Sequence, residues 1–147
     1  MPFELHLAWI SHLWPVPIAG GADIDNNPAE HLDLNNYDDV VHLFTHYIKP
    51  LYDKYHPIQQ VRLKETLRYA LHTFSWQDFE NELESNLPPF KTPRDCRALY
   101  IQLWTLLFPT EPWQQMQMSE YIIRKDRALE AKFNEDEEGW LLNSLRN

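Results

Sequence analysis

The sequence predicts a mainly α-helical protein, a compact bundle of about five to seven helices in a single domain spanning residues 1–147, with a small β-sheet formed by the terminal segments if both are extended. Two observations point there. Apolar residues recur every three or four positions through the middle of the chain, and 11 prolines, many placed where a helix would begin, accompany only three glycines, Gly20, Gly21 and Gly139. That pairing suits helices joined by tight corners. At 147 residues the chain can remove roughly two thirds of its unfolded surface from water, so a core needs no staple. Its one cysteine, Cys96, has no partner for an intramolecular disulfide.

In the first segment Phe3, Leu5, Leu7 and Trp9 alternate with polar or small residues, which predicts a short strand. The set Phe3, Leu7, Ile10 and Trp14 would equally line one helix face. Pro15 to Gly21 reads as a loop. Asn27, Pro28 and Glu30 form a helix start, predicting a short helix to about Asn35. Asn36 then caps the clearest amphipathic stretch, with Tyr37, Val40, Val41, Phe44, Tyr47, Ile48, Leu51, Tyr52 and Tyr55 at helical spacing. Pro50 lies inside it and must kink that helix or begin a new one, because its ring removes a donor and clashes with the preceding turn.

Pro57 opens the next helix, presenting Ile58, Val61, Leu67, Ala70, Leu71 and Phe74. Ser75 caps a shorter one bearing Trp76, Phe79 and Leu83, with Asp78 near its positive end. Leu87 to Lys91 is a corner. Thr92, Pro93 and Asp95 repeat the start signal ahead of Cys96, Leu99, Tyr100, Leu103, Trp104 and Leu107. A further helix is expected from Thr110, Glu111 and Pro112 through Met116, Tyr121 and Ile122. Near the end, Leu129, Ala131 and Phe133 alternate with Glu130 and Lys132 ahead of Gly139 and Trp140, the pattern of a hairpin; a helix capped by Asn134 is the alternative.

Charge is the most informative feature for function. Net charge is -9, and residues 1–48 hold Glu4, Asp23, Asp25, Glu30, Asp33, Asp38 and Asp39 with no Lys or Arg before Lys49. Such a field repels a phosphate backbone, whose binding relies on Lys and Arg displacing counterions, so direct nucleic-acid binding is not expected. A basic protein would be attracted and steered. The N-terminal stretch lacks the basic residues of an export signal and is interrupted by Glu4, His6, His12, Pro15 and Pro17. It reads as part of the mature domain. No run reaches the roughly 18 apolar residues of a membrane span, and a cytoplasmic location is the default expectation.

Motifs for chemistry are scarce. His42 and His46 stand four apart, the spacing of a metal pair on a helix, but Leu43 occupies the position of the glutamate base in an H-E-x-x-H peptidase. Both point away from the stripe centred on Phe44 and read first as a solvated pair. Asp39 with His42 and Asp53 with His56 only loosely imitate the E-x-x-H pairs of dinuclear bundles. Asp23, Asp25 and Asn27 start like a calcium loop, yet Pro28 and Leu34 stand where glycine and the bidentate glutamate are required. Cys96, at helical spacing with Leu99 and Leu103, reads as core. No G-x-S-x-G, Walker or dinucleotide-binding loop is present, so no catalytic residue and no cofactor is assigned.

The expected function is therefore non-catalytic protein binding through an acidic surface made of Asp23, Asp25, Glu30, Asp33, Tyr37, Asp38 and Asp39. Its most concrete form is an immunity protein or antitoxin that covers the active cleft of a basic, nuclease-type toxin. Trp9, Trp14, Tyr37 and Tyr47 are the candidate aromatic anchors, because Trp and Tyr are enriched among binding hot spots. The alternative is a metal-binding helical protein or metal-dependent enzyme using His42 and His46.

Overall fold

The computed structural model describes residues 3–15, 31–86, 90–115, 121–125 and Phe133. The described chain is mainly helical with one two-stranded sheet. Its elements are β1 (Phe3–His6), a 3₁₀ helix (Leu7–Leu13), α1 (Tyr37–Leu43), a π-helical stretch (Phe44–Ile48), α2 (Lys49–Lys54), α3 (Pro57–Thr73), α4 (Trp76–Ser85), α5 (Cys96–Leu107) and β2 (Tyr121–Arg124).

The helix starts follow side-chain chemistry. Asn36 Oδ1 accepts from the Asp38 amide at 3.0 Å to open α1, and Asp95 Oδ1 accepts from the Ala98 amide at 3.0 Å to open α5. At α4, Ser75 Oγ takes the Asp78 amide at 3.1 Å while Asp78 Oδ2 takes the Ser75 amide at 3.0 Å. Each bond satisfies an amide that has no partner inside its helix. His56 does the same for α3, accepting from Ile58 at 3.3 Å with Pro57 in the first position. Pro50 falls in the first turn of α2, directly after the π-helical stretch, where the Lys49 amide reaches back to the Phe44 carbonyl. A proline has no N–H to give and collides with the carbonyl four residues earlier; a wider turn ahead of it relieves both demands.

β1 and β2 run parallel, with Phe3 opposite Tyr121 and His6 opposite Arg124. A parallel pair needs a long crossover, and here α1 to α5 all lie between the two strands. The amino-terminal strand and the small sheet are thus as the sequence predicts, but the strand is shorter. The Ala8 amide donates to His6 Nδ1 at 3.1 Å, and the chain turns at once into the 3₁₀ helix that buries Trp9, Ile10 and Leu13. The alternation holds only as far as His6, and the helix that follows buries Trp9, Ile10 and Leu13 in place of the face read through Phe3, Leu7, Ile10 and Trp14.

Two expected helices are corrected. Residues 31–36, the described end of the short helix expected to Asn35, form turns: Asp33 Oδ1 accepts from both the Asn35 amide and Asn35 Nδ2, each at 3.0 Å, and this side-chain competition favours a turn over a helix. The helix expected from Thr110 is absent from the described residues 110–115, and Tyr121 and Ile122 belong to β2. There the Glu111 carbonyl accepts from Trp104 Nε1 at 2.7 Å and the Gln115 carbonyl from Arg68 Nη1 at 2.6 Å, so side chains of α5 and α3 hold this stretch as a loop. The hairpin expected across residues 129–142 lies outside the described residues apart from Phe133.

The buried apolar side chains form one cluster. α3 packs on the 3₁₀ helix, on α5 and on β1, while α4 packs on α5. Phe133 is fully buried, stacked on His12 at 3.8 Å and edge-on to Tyr55 at 5.3 Å. On α3 the sequence places Val61 inward, yet it is 44% exposed while Arg62, Thr66 and Arg68 are buried.

Val61 lies outside the buried stripe of Arg62, Leu63, Thr66, Leu67, Ala70 and Leu71, and Arg68 is buried by contacts of its own. Its guanidinium lies 5.1 Å from the centre of the Trp104 ring, hydrogen-bonds Glu111 Oε1, and sits with Nε 3.4 Å from Glu65 Oε2, an ion pair without hydrogen-bond geometry. Lys64 pairs with the other Glu111 oxygen, and the Tyr121 hydroxyl donates to Glu65. Arg68 is buried while Glu111 is 37% exposed and keeps Lys64 as a partner, so losing the guanidinium costs its charge-assisted hydrogen bonds, about 2–3 kcal/mol. Urea unfolding of Arg68→Ala should therefore show a loss of that order, whereas Asn36→Ala, which deletes a single cap, should lose only about 1 kcal/mol. Equal losses in the two variants would contradict the burial assigned to Arg68.

Candidate functional site

The acidic segment enters α1 through a turn that is anchored on both sides. Leu32 and Leu34 are buried, alternating with exposed Asp33 and Asn35. Asp39 Oδ2 accepts from the Asp33 amide at 2.8 Å, and Asn35 Oδ1 accepts from the Arg94 amide at 2.9 Å, tying the turn to the approach to α5. Asp33 and Asp39 are therefore brought together, and both spend carboxylate oxygens on shaping the turn. Tyr37 and Asp38 occupy the first turn of α1 and stand exposed, Tyr37 at 52%. Among the described residues no ion pair or side-chain hydrogen bond engages either of them. Asp38 at this position also complements the positive end of the helix. Asp23, Asp25 and Glu30 lie outside the described residues.

The aromatic anchors are mostly corrected. Trp9 is 1% and Trp14 5% exposed, Trp14 donating its indole N–H to the Tyr100 hydroxyl at 3.3 Å, and Tyr47 packs against the core. Tyr37 alone of the four is exposed. Trp76, expected on the buried face of its helix, is 66% exposed at the start of α4, since Phe79 and Leu83 suffice to fill that side.

His42 and His46 are both on the outer face, as their spacing implies, with ring centres 4.3 Å apart. Among the described residues no three His, Cys, Asp or Glu side chains converge on a position for a metal ion. In the second D-x-x-H pair, Asp53 is bound to Lys49 at 2.6 Å and His56 caps α3. Cys96 is buried, its thiol directed at the Pro93 carbonyl at 3.7 Å. Burial, followed by the charges of Glu80, Glu84 and Asp95, pushes that thiol up to about 11, the opposite of what a nucleophilic thiolate needs.

A second arrangement was not legible in the sequence. A groove of about 610 Å³ runs along α4 where it meets the end of α3, lined by Leu7, Tyr69, Thr73, Phe74, Asp78, Asn81, Glu82 and Ser85. Asn86 Nδ2 donates to Glu82 Oε1 at 3.1 Å and to the Glu82 carbonyl at 2.7 Å. Burial outweighs that hydrogen bond and pushes the Glu82 carboxyl up to about 7. A perturbed acid in a groove is a recognised mark of a functional site. Glu111 behaves in the opposite way: burial would raise it, but Lys64 and Arg68 more than offset that and hold it below the ordinary carboxylate range.

The Glu82 shift fixes the sign of a pH effect. Between the ordinary value of 4.5 and about 7 the folded protein keeps a proton that the unfolded chain has released, so this group makes stability fall as pH rises through that window. Glu82→Gln keeps the acceptor for Asn86 and removes the ionisation. Thermal and urea unfolding at pH 8 should show it more stable than the parent by on the order of 2 kcal/mol, with the gain shrinking toward zero below pH 5. A constant gain at all pH values would rule out the titration.

No family model, no curated protein and no solved structure matches this chain, so its sites are read from their own geometry.

Proposed function

We propose that the protein is a non-catalytic binding module that receives a basic protein partner on the acidic face at the start of α1. One observation carries this reading: Tyr37 and Asp38 are exposed side by side in a stretch whose first basic residue is Lys49, and among the described residues no hydrogen bond or ion pair engages the side chain of either. An uncommitted carboxylate raises the encounter rate of a cationic partner. A tyrosine beside it supplies apolar area with little rotamer entropy to lose. Asp33 and Asp39 contribute charge and hold the turn, and Asp23, Asp25 and Glu30 add to the same negative segment. In its most concrete form the partner is a nuclease-type toxin domain whose basic substrate cleft is covered, which makes the protein an immunity protein or antitoxin.

The test is capture from native extract on the immobilised protein, followed by kinetics with the purified partner. Asp38→Lys should slow association severalfold at low salt, with the difference disappearing as salt shortens the screening length. Tyr37→Ala should speed dissociation by about tenfold or more. A captured partner that is acidic, or binding indifferent to both substitutions, would remove this reading. A basic partner without nuclease activity would remove only the toxin form of it.

A further inference from the structure

We propose that the groove along α4 is a docking site for a lysine-bearing segment of a partner protein, with the hydrocarbon stem of the lysine on Leu7, Tyr69 and Phe74 and its ammonium between Asp78 and Glu82. This site is separate from the α1 face and does not depend on it. The lining holds two carboxylates and no Lys, Arg or His, so its charge is complementary to a cation. Asp78 and Glu82 are four apart on one helix, which places them as neighbours on the same face. Each has an oxygen to offer: Asp78 uses Oδ2 on the Ser75 amide, and Glu82 uses Oε1 on Asn86.

The apolar part of the wall selects the rest of the ligand. A lysine buries its four-carbon stem on apolar surface while its head stays with polar groups, and aromatic rings such as Tyr69 and Phe74 favour a nearby cation. Lysine suits this placement because its compact ammonium, with three rotatable donors, can address two separate carboxylates. The groove volume, about 610 Å³, lies within the range of roughly 300–1,000 Å³ usual for ligand sites. The half-buried Glu82 carboxyl, raised to about 7 by desolvation, is an anion short of solvation, and an arriving ammonium supplies what water does not. The concavity lined by Trp104, Phe108 and Trp113 offers no such charge, since Lys64 and Arg68 already occupy both Glu111 oxygens.

The experiment is a titration of the isotope-labelled full chain, followed by amide chemical shifts at pH 8, with a capped hexapeptide of alternating leucine and lysine. Shifts are expected at Tyr69, Thr73, Asn81 and Ser85, and the same peptide with its lysines acetylated should bind at least tenfold more weakly. Glu82→Gln should weaken binding at least fivefold while melting at a higher temperature than the parent at this pH, so the loss is not unfolding. In Asp38→Lys, which removes attraction to the α1 face, the shifts at Tyr69, Thr73, Asn81 and Ser85 should persist. Equal binding of the acetylated peptide, no shifts up to millimolar peptide, an unaffected Glu82→Gln, or shifts confined to α1 and abolished by Asp38→Lys would each overturn the assignment.

Discussion

The Arg68 guanidinium is the constraint on which most of the arrangement depends. It leaves α3, lies against the Trp104 ring of α5, hydrogen-bonds the Glu111 side chain and the Gln115 carbonyl of the loop beyond α5, and faces Glu65, which receives the Tyr121 hydroxyl from β2. Two helices and a loop are thus held in one place by one side chain, and Glu65 beside it binds Tyr121 of the strand. An apolar residue there could fill the volume but could not orient the loop, because dispersion contacts have little direction and charge-assisted hydrogen bonds have a great deal.

The α1 face depends on a different compromise. The helix from Tyr37 to Lys54 must pass Pro50, and the π-helical stretch before it absorbs the missing donor. Val40 and Leu43 ahead of that stretch and Ile48 at its end still reach the core. Consequently the face opposite them, carrying Asp38, His42 and His46, stays outside along its whole length. The exposed acids are a by-product of where the apolar residues must go, and the turn at 31–36, clamped to Arg94 through Asn35, fixes the direction from which they are approached.

Much of the fold was legible because it is written in local chemistry. Asn36, Pro57 and Ser75 each name a helix start that depends on residues within three positions, and the start read from Thr92 falls at Asp95; the stripe of α5 buries Cys96, Leu99, Tyr100, Leu103 and Trp104, while that of α1 buries Val40 and Leu43 and leaves Tyr37 outside. What was not legible depends on partners far away in the chain. Arg62 and Arg68 carry no local signal of burial, and nothing near them in sequence reveals that Trp9 lies 5.9 Å from the one and Trp104 5.1 Å from the other. Glu111 reads as a helix start because its real partners, Lys64 and Arg68, precede it by more than forty residues. The acidic site was half legible: the charge asymmetry is plain from composition, but the commitment of Asp33 and Asp39 to the turn is a tertiary fact. For Glu82 the only signal was its place one turn after Asp78 on the helix that bears Phe79 and Leu83.

Charge counted along a sequence cannot distinguish carboxylates used in folding from those left over, and the distinction decides function. Asp33, Asp39, Asp53, Glu65 and Glu111 each have an oxygen engaged by a neighbouring group, so part of their charge is already answered within the molecule. The Asp38 side chain has no such contact among the described residues, and Glu82 has one, from Asn86, that does not offset its burial. Asp38 is surrounded by water, so its field reaches outward but is screened within about 10 Å at moderate salt; it can guide a partner and contributes little once contact is made. Glu82 is half desolvated, so its field is short-ranged but little screened, and a cation placed against it gains what solvent has withheld. The exposed acid on α1 therefore acts at a distance and the sheltered acid on α4 only at contact.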